Sequence, residues 1–149
     1  MLVVFDIDGT LANIEHRLHH VRQKPKNWAA FDAGIHADKL NEPVADVMES
    51  LHEAGATIIL ASGRNERSRT ATEAWLAGHG LHYYVDKLYM RAQDDYRNDA
   101  IVKKEILDQI IADYGKKPDM VFDDRPRVVK MWRENGIFVF DVNQSGEEF

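Results

Sequence analysis

Apolar residues follow two alternating rhythms along this chain. Leu2-Val3-Val4-Phe5, Thr57-Ile58-Ile59-Leu60, Met120-Val121-Phe122 and Ile137-Phe138-Val139-Phe140 are short continuous runs with the length and composition of buried strands. Between them the apolar positions open out to helical spacing. Val44, Val47, Met48 and Leu51 fall at i, i+3, i+4 and i+7, which predicts an amphipathic helix over 43–54 with Pro43 at its start. Further helices are predicted over 66–78, over 98–114 from Val102, Ile106 and Ile110 with Leu107 and Ile111 beside them, and around Val128, Val129, Met131 and Trp132. A shorter strand is predicted near Leu88 to Met90.

Gly55, Gly80, Gly115 and Gly136 each follow a helical stretch and precede an apolar run, as helix C-caps do. Strands that alternate with helices and are apolar throughout predict an α/β class: a Rossmann-like parallel sheet with helices on both faces. Residues 12–42, with His16, His19, His20, Lys24, Pro25, Trp28 and Phe31, show no clear period. They are read as a small cap-like insertion after the first strand, lying over the sheet's end. With 149 residues, 44% of them hydrophobic, the whole chain 1–149 is read as a single domain carrying that insertion.

Charge narrows the partners. Nineteen Lys and Arg against 25 Asp and Glu leave a net charge of −6, which argues against a broad grip on duplex nucleic acid or an anionic membrane while leaving room for a local basic pocket. The absence of cysteine excludes disulfides and thiolate metal sites. No apolar run approaches the roughly 18 residues of a membrane span, and acid follows the first five residues at once. The expectation is a soluble cytoplasmic protein with no membrane partner.

Ligands of open α/β sheets bind outside the carboxyl ends of the strands. The polar residues ending the apolar runs are Asp6-Ile7-Asp8-Gly9-Thr10, Ser62-Gly63-Arg64 and Asp123-Asp124-Arg125. Taken singly these are common turn residues, but independent turn acids have no reason to converge on one edge. Four carboxylates brought together there need a counter-charge, because like charges a few Å apart raise one another's pKa. An all-oxygen donor set suits Mg²⁺, and Lys103 supplies a second positive group.

In this order, "DIDGT", "SGR", a helical Lys and "DD" after a strand resemble the motifs of the haloacid dehalogenase superfamily of phosphotransferases. "FDIDGTLA", "SGR", "DAIVKKEI", "FDDRPRVVKMWRENG" and the closing "SGEEF" are similar to the phosphatase domains of phage polynucleotide kinase-phosphatases, which repair broken nucleic-acid ends. The insertion matches poorly. The resemblance implies that Asp6 is the nucleophile and takes the phosphoryl group as an aspartyl-phosphate. It makes Asp8 the general acid and base, a role that needs a raised pKa, which crowding of acids provides. It places Mg²⁺ on Asp6, the Asp8 backbone carbonyl, Asp123 and Asp124, without saying which of the last two binds directly. Ser62 and the Gly63 amide are implied to hold phosphate oxygens with Thr10 beside them, and Lys103 to tie the phosphate to Asp6. Arg17, Arg64, Asp99 and Arg125 also match positions used by those phosphatases. Asp99 stands four residues before Lys103 and is read as orienting it.

The implied substrate is a 3′-phosphate on a nucleic-acid end, with release from free nucleotides or another small phosphate ester as the alternative. A rival from another class is the phosphoaspartate receiver domain of signalling proteins, but receivers keep their acid pair after the first strand, and here that pair comes late. No GxxxxGK[ST] stretch is present, so the phosphate-binding loop of a kinase half is absent. The resemblance then implies a stand-alone phosphatase with a separate kinase or ligase as partner, in a host cytoplasm if the protein is phage-encoded. His16 and His20, spaced i and i+4 without a third ligand, are read as surface or capping residues rather than a zinc site. Trp28, Phe31, Tyr83 and Tyr84 are read as packing residues in preference to base-stacking ones.

Overall fold

The computed structural model describes residues 1–146; Glu147, Glu148 and Phe149 of the closing "SGEEF" lie outside the described residues. Five strands form one sheet: β1 (Leu2–Phe5), β4 (Thr57–Asn65), β5 (Val85–Arg91), β6 (Met120–Asp123) and β7 (Phe138–Asp141). Their order is β5-β4-β1-β6-β7, and every neighbouring pair is parallel. The central β1 is completely covered, with Val4 opposite Ile59 on one side and Val121 on the other.

Side chains of a strand alternate between faces, so each run feeds two cores. Val3, Phe5, Ile58 and Leu60 pack with Met48 of α3 (Glu42–Glu53) and Trp75 of α4 (Arg69–Gly78). Leu2, Val4, Ile59 and Val121 pack with Ile106 and Ile110 of α5 (Asp99–Tyr114) and Trp132 of α6 (Pro126–Glu134). Each fully buried Val, Ile or Phe contributes about 1.5–3 kcal/mol relative to exposure, and a one-residue slip would exchange both faces, so the register is fixed. Helices therefore cover both faces, as expected from the uninterrupted apolar runs.

The differences from expectation are local. β4 continues through Ser62-Gly63-Arg64 to Asn65, with an irregular register against β5 after Ala61. The 66–78 helix divides into a 3-10 turn at Glu66–Ser68 and α4. β7 starts at Phe138, because the Ile137 N–H is used to close α6 on the Trp132 carbonyl. Gly115 at φ +73° ends α5, its N–H donating to the Ile111 carbonyl.

The insertion stands on a two-stranded antiparallel stalk, β2 (Ala12–Asn13) with β3 (Lys39–Leu40). Between these strands lie α1 (His19–Arg22), α2 (Trp28–Ala33) and two 3-10 turns. Elements of four and six residues are too short to display a period, which is why the sequence shows none. Ile14, Leu18, Val21, Phe31 and Ile35 are nonetheless buried in the same core as Val3 and Phe5, so the insertion is anchored to the sheet.

Candidate active site

The chain leaves β1 in a tight turn in which Thr10 and Ala12 both donate backbone bonds to the Ile7 carbonyl. Gly9 sits at φ +82°, and a Cβ there would fall inside the Asp124 carboxylate, so only glycine fits. The turn leaves Asp6 beside the end of β6. Asp6, Asp123 and Asp124 each offer a carboxylate oxygen, all within 4.8 Å of one another. Lys103 projects from α5 between them, its Nζ donating to Asp6 Oδ1 at 2.7 Å and Asp123 Oδ2 at 2.8 Å. Thr10 Oγ1 lies 3.2 Å from Asp6 Oδ2 and 3.4 Å from Asp124 Oδ1.

Burial, together with Asp123, pushes the Asp6 carboxyl well above the usual range despite Lys103. Asp124 is pushed up to about 6, first by burial and then by Asp123. For Lys103, burial works against the charge, but Asp123 and Asp6 outweigh it and hold the ammonium protonated. Crowded hard oxygens with raised proton affinity fit a divalent cation such as Mg²⁺. Asp123 has both oxygens committed: Oδ2 to Lys103 and Trp132 Nε1, Oδ1 to the N–H groups of Asp124 and Arg125.

Without a cation, Asp6 and Asp124 bind protons more tightly folded than unfolded. Their contribution therefore favours folding at low pH and is lost as pH rises through the folded values, about 6 for Asp124. Mg²⁺ at about 100 times its Kd should add about 2.7 kcal/mol, or roughly 5–10 °C in melting temperature, at pH 8. The shift should be much smaller at pH 5, where protons compete. Equal shifts in melts at the two pH values would place the cation elsewhere.

Asp8 turns away from the other acids. Its Oδ1 accepts from Arg64 Nη2 at 2.6 Å, Arg64 Nε at 3.0 Å and Arg17 Nη2 at 3.0 Å. Although burial acts to raise it, Arg64 and then Arg17 hold the Asp8 carboxyl below the usual range. This corrects the expectation of a raised pKa: arginines crowd Asp8, and acids do not. Arg17 is redirected too. It is 1% exposed, its guanidinium bound to Asp8, Asp38 and the Phe31 carbonyl, so it positions Asp8 instead of opening to substrate.

The hub of this network is Asp38, a residue the sequence did not single out. Its fully buried carboxylate accepts from Arg17, Arg64 and His16, joining the insertion to the sheet. His16 is thus a hydrogen-bond partner, and it lies in a different short helix from His20. Asp38→Ala leaves two buried arginines short of an anion and should cost about 3–5 kcal/mol in urea denaturation. A loss below about 1 kcal/mol would mean that the arginines find other partners.

Asp99 does not orient Lys103. Its carboxylate bridges Arg91 and Arg125, while Lys103 is drawn to the deeper pair of acids. Arg91 also donates to the Gly63 carbonyl at 2.9 Å, and Ser62 Oγ accepts from the Arg64 N–H at 3.0 Å. Asp6, Asp8, Gly63, Arg64, Lys103 and Asp124 line one cavity of about 420 Å³. Phe31 is buried under the Arg17 guanidinium, as packing predicted, and Tyr84 is half-buried against the core. Trp28 and Tyr83 remain 49% and 77% exposed, against that expectation.

The family model of the polynucleotide kinase PNKP phosphatase domain matches residues 1–147. The chain belongs to this family. A polynucleotide kinase/RNA ligase of Autographa californica nuclear polyhedrosis virus is 31% identical over 154 residues, covering 99% of this chain and 20% of that protein. A chain of the Pnkp1/Rnl/Hen1 RNA repair complex is 34% identical with a TM-score of 0.76, covering 98% of this chain and 43% of its own. This PNKP-type phosphatase domain thus spans a fifth of the viral relative and under half of the repair-complex chain. A haloacid dehalogenase-like hydrolase of Streptococcus pneumoniae shares the fold alone, at 15% identity and TM-score 0.67 over 94% of this chain and 83% of its own.

In this PNKP-type domain the sequence missed Asp38, Arg91 and Tyr96. Arg91 ends β5 at the same sheet edge as the other site residues, so a longer strand prediction would have found it. Tyr96, an aromatic in the polar stretch "AQDDYRND", also lines the cavity. No local signal marks Asp38.

Proposed function

We propose that the chain is a Mg²⁺-dependent phosphomonoesterase that works through an aspartyl-phosphate on Asp6 and removes 3′-phosphates from nucleic-acid ends. The observation that carries the chemistry is a buried Asp6 held by Lys103 at the mouth of an acid cluster, within a PNKP phosphatase-family chain. Asp6 and Asp124 would hold the cation directly with the Asp8 backbone carbonyl, and Asp123, whose oxygens are already engaged, would act through water. When bound, Mg²⁺ supplies charge to the phosphate oxygens and keeps Asp6 ionised at neutral pH.

Asp6 attacks phosphorus, the bond to the ester oxygen breaks, and that oxygen takes a proton. Water then attacks the aspartyl-phosphate, releasing inorganic phosphate and restoring the Asp6 carboxylate. Asp8 serves both proton transfers. It can hold a proton only when Arg64, which lines the cavity, is drawn to another anion, and the incoming phosphate is such an anion. Lys103, Ser62, Thr10 and the Gly63 amide hold the phosphate oxygens as charge moves.

The substrate and partners rest on the relatives: a kinase/RNA ligase and an RNA repair complex make a nucleic-acid end the natural substrate and a kinase or ligase the natural partner. No helix among the described residues is long and apolar enough to cross a membrane; work in the cytoplasm, of a host if phage-encoded, is part of the proposal. The test is Mg²⁺-dependent phosphate release from matched oligonucleotides bearing a 3′- or a 5′-phosphate, beside 3′- and 5′-mononucleotides. Selective release from the 3′-phosphorylated oligonucleotide is expected. Preference for mononucleotides would keep the chemistry and move the function to nucleotide metabolism.

A further inference from the structure

Three aromatic residues, Trp28, Phe31 and Tyr96, line the Asp6 cavity without serving the chemistry above, and two of them are exposed there. Trp28 opens α2 in the insertion, and Tyr96 lies in the connection between β5 and α5. They are 49% and 81% exposed, whereas Phe31 on the same helix as Trp28 is 4% exposed. Rings kept in water at the rim of a cavity are available to a ligand in a way that buried rings are not.

Both rings are carried on anchored backbone. Trp28 rests edge-on against Phe31, with centroids 5.7 Å apart, and Asn27 caps its helix by accepting from the Ala30 N–H. The Tyr96 loop is tied down on either side, because Arg91 Nη1 donates to the Asp95 carbonyl at 3.2 Å and the Arg97 carbonyl at 2.6 Å. Eight Lys and Arg residues, Lys26, Arg67, Arg97 and Arg127 among them, line the same cavity against six Asp, with Arg67 paired to Asp32 and Arg97 to Asp95, although the chain as a whole carries −6. Aromatic faces set among cations are the means by which proteins hold unpaired nucleotides.

The base of a 3′-phosphorylated nucleotide hangs from the sugar that bears the phosphate. Where the phosphate meets Asp6, the base must therefore lie in the cavity or at its rim. We propose that Trp28 and Tyr96 form the stacking platform for the base of the 3′-terminal nucleotide, so that the substrate is an unpaired, single-stranded 3′ end. The proposal rests on the 3′-phosphatase reading above. A base that stacks on a side chain has left its helical stack, which is why a paired end is the poorer substrate.

The test compares kcat/KM on two oligonucleotides with a 3′-phosphate, one ending in an ordinary nucleotide and one whose terminal sugar carries no base. The wild-type ratio should be about 5 to 160, the span of base–aromatic stacking. Trp28→Ala and Tyr96→Ala should each lower that ratio, the double variant should bring it near one, and Trp28→Phe should preserve it. A single-stranded 3′ end should also outrun a blunt duplex. A wild-type ratio near one, or a ratio that persists in the double variant, overturns the platform while leaving the phosphatase reading intact. If neither oligonucleotide is hydrolysed but a simple aryl phosphate is, the 3′-end reading fails and the platform fails with it.

Discussion

Asp6→Asn should give a folded protein whose phosphate release falls by roughly 10⁴- to 10⁶-fold, as happens when a covalent nucleophile is removed. The amide can still accept a hydrogen bond from Lys103, and Lys103 keeps Asp123, so the local geometry has every reason to survive. Stability should move the other way from activity. Burial and Asp123 disfavour the ionised Asp6 carboxylate, and a neutral side chain at that position is free of the penalty. Without metal at pH 8, the variant should melt no lower than wild type, and its Mg²⁺-induced shift should shrink because one proposed ligand is gone. Phosphate-release kinetics and thermal melts together check this. Substantial activity surviving in protein free of deamidation and contamination would refute the covalent role of Asp6.

The placement of Asp6 was legible in the sequence because it is local. β1 is a continuous apolar run, and it passes directly into a turn whose glycine is forced by the Asp124 carboxylate, so "DIDGT" and the run before it display strand, turn and candidate carboxylates in one short stretch. The "DD" that ends β6 is visible for the same reason. The hidden features depend on contacts across long stretches of chain. Asp38 lies 21 residues from Arg17 and 26 from Arg64, and nothing in "HADKL" distinguishes it from a solvated acid. Asp99 and Lys103 show how a local rule is outcompeted. Their spacing allows a helical ion pair worth a few tenths of a kcal/mol in water. Lys103 instead enters a buried site with two carboxylates, where charge interactions are much stronger. The expectation for Asp8 fails in the same direction: the sequence shows acids crowded along the chain, whereas the fold interposes two arginines.

Lys103→Met separates the two roles proposed for one ammonium group. The lysine neutralises Asp6 and Asp123 in the free protein, and in the proposed reaction it would also hold the phosphate. Removing the charge while keeping a chain of similar length leaves two buried carboxylates facing each other, a change of about 3–5 kcal/mol where a buried pair is broken from one side. Mg²⁺ should recover much of that loss, because it supplies positive charge to the same carboxylates. Turnover should fall by roughly 10²- to 10³-fold, the scale of one lost group that stabilises charge in the transition state. Melts and kinetics measured over a Mg²⁺ titration then divide the roles. Stability that returns while kcat stays low means that Lys103 contacts the transferring phosphate. Recovery of both together would reduce it to a counter-charge that the cation can replace.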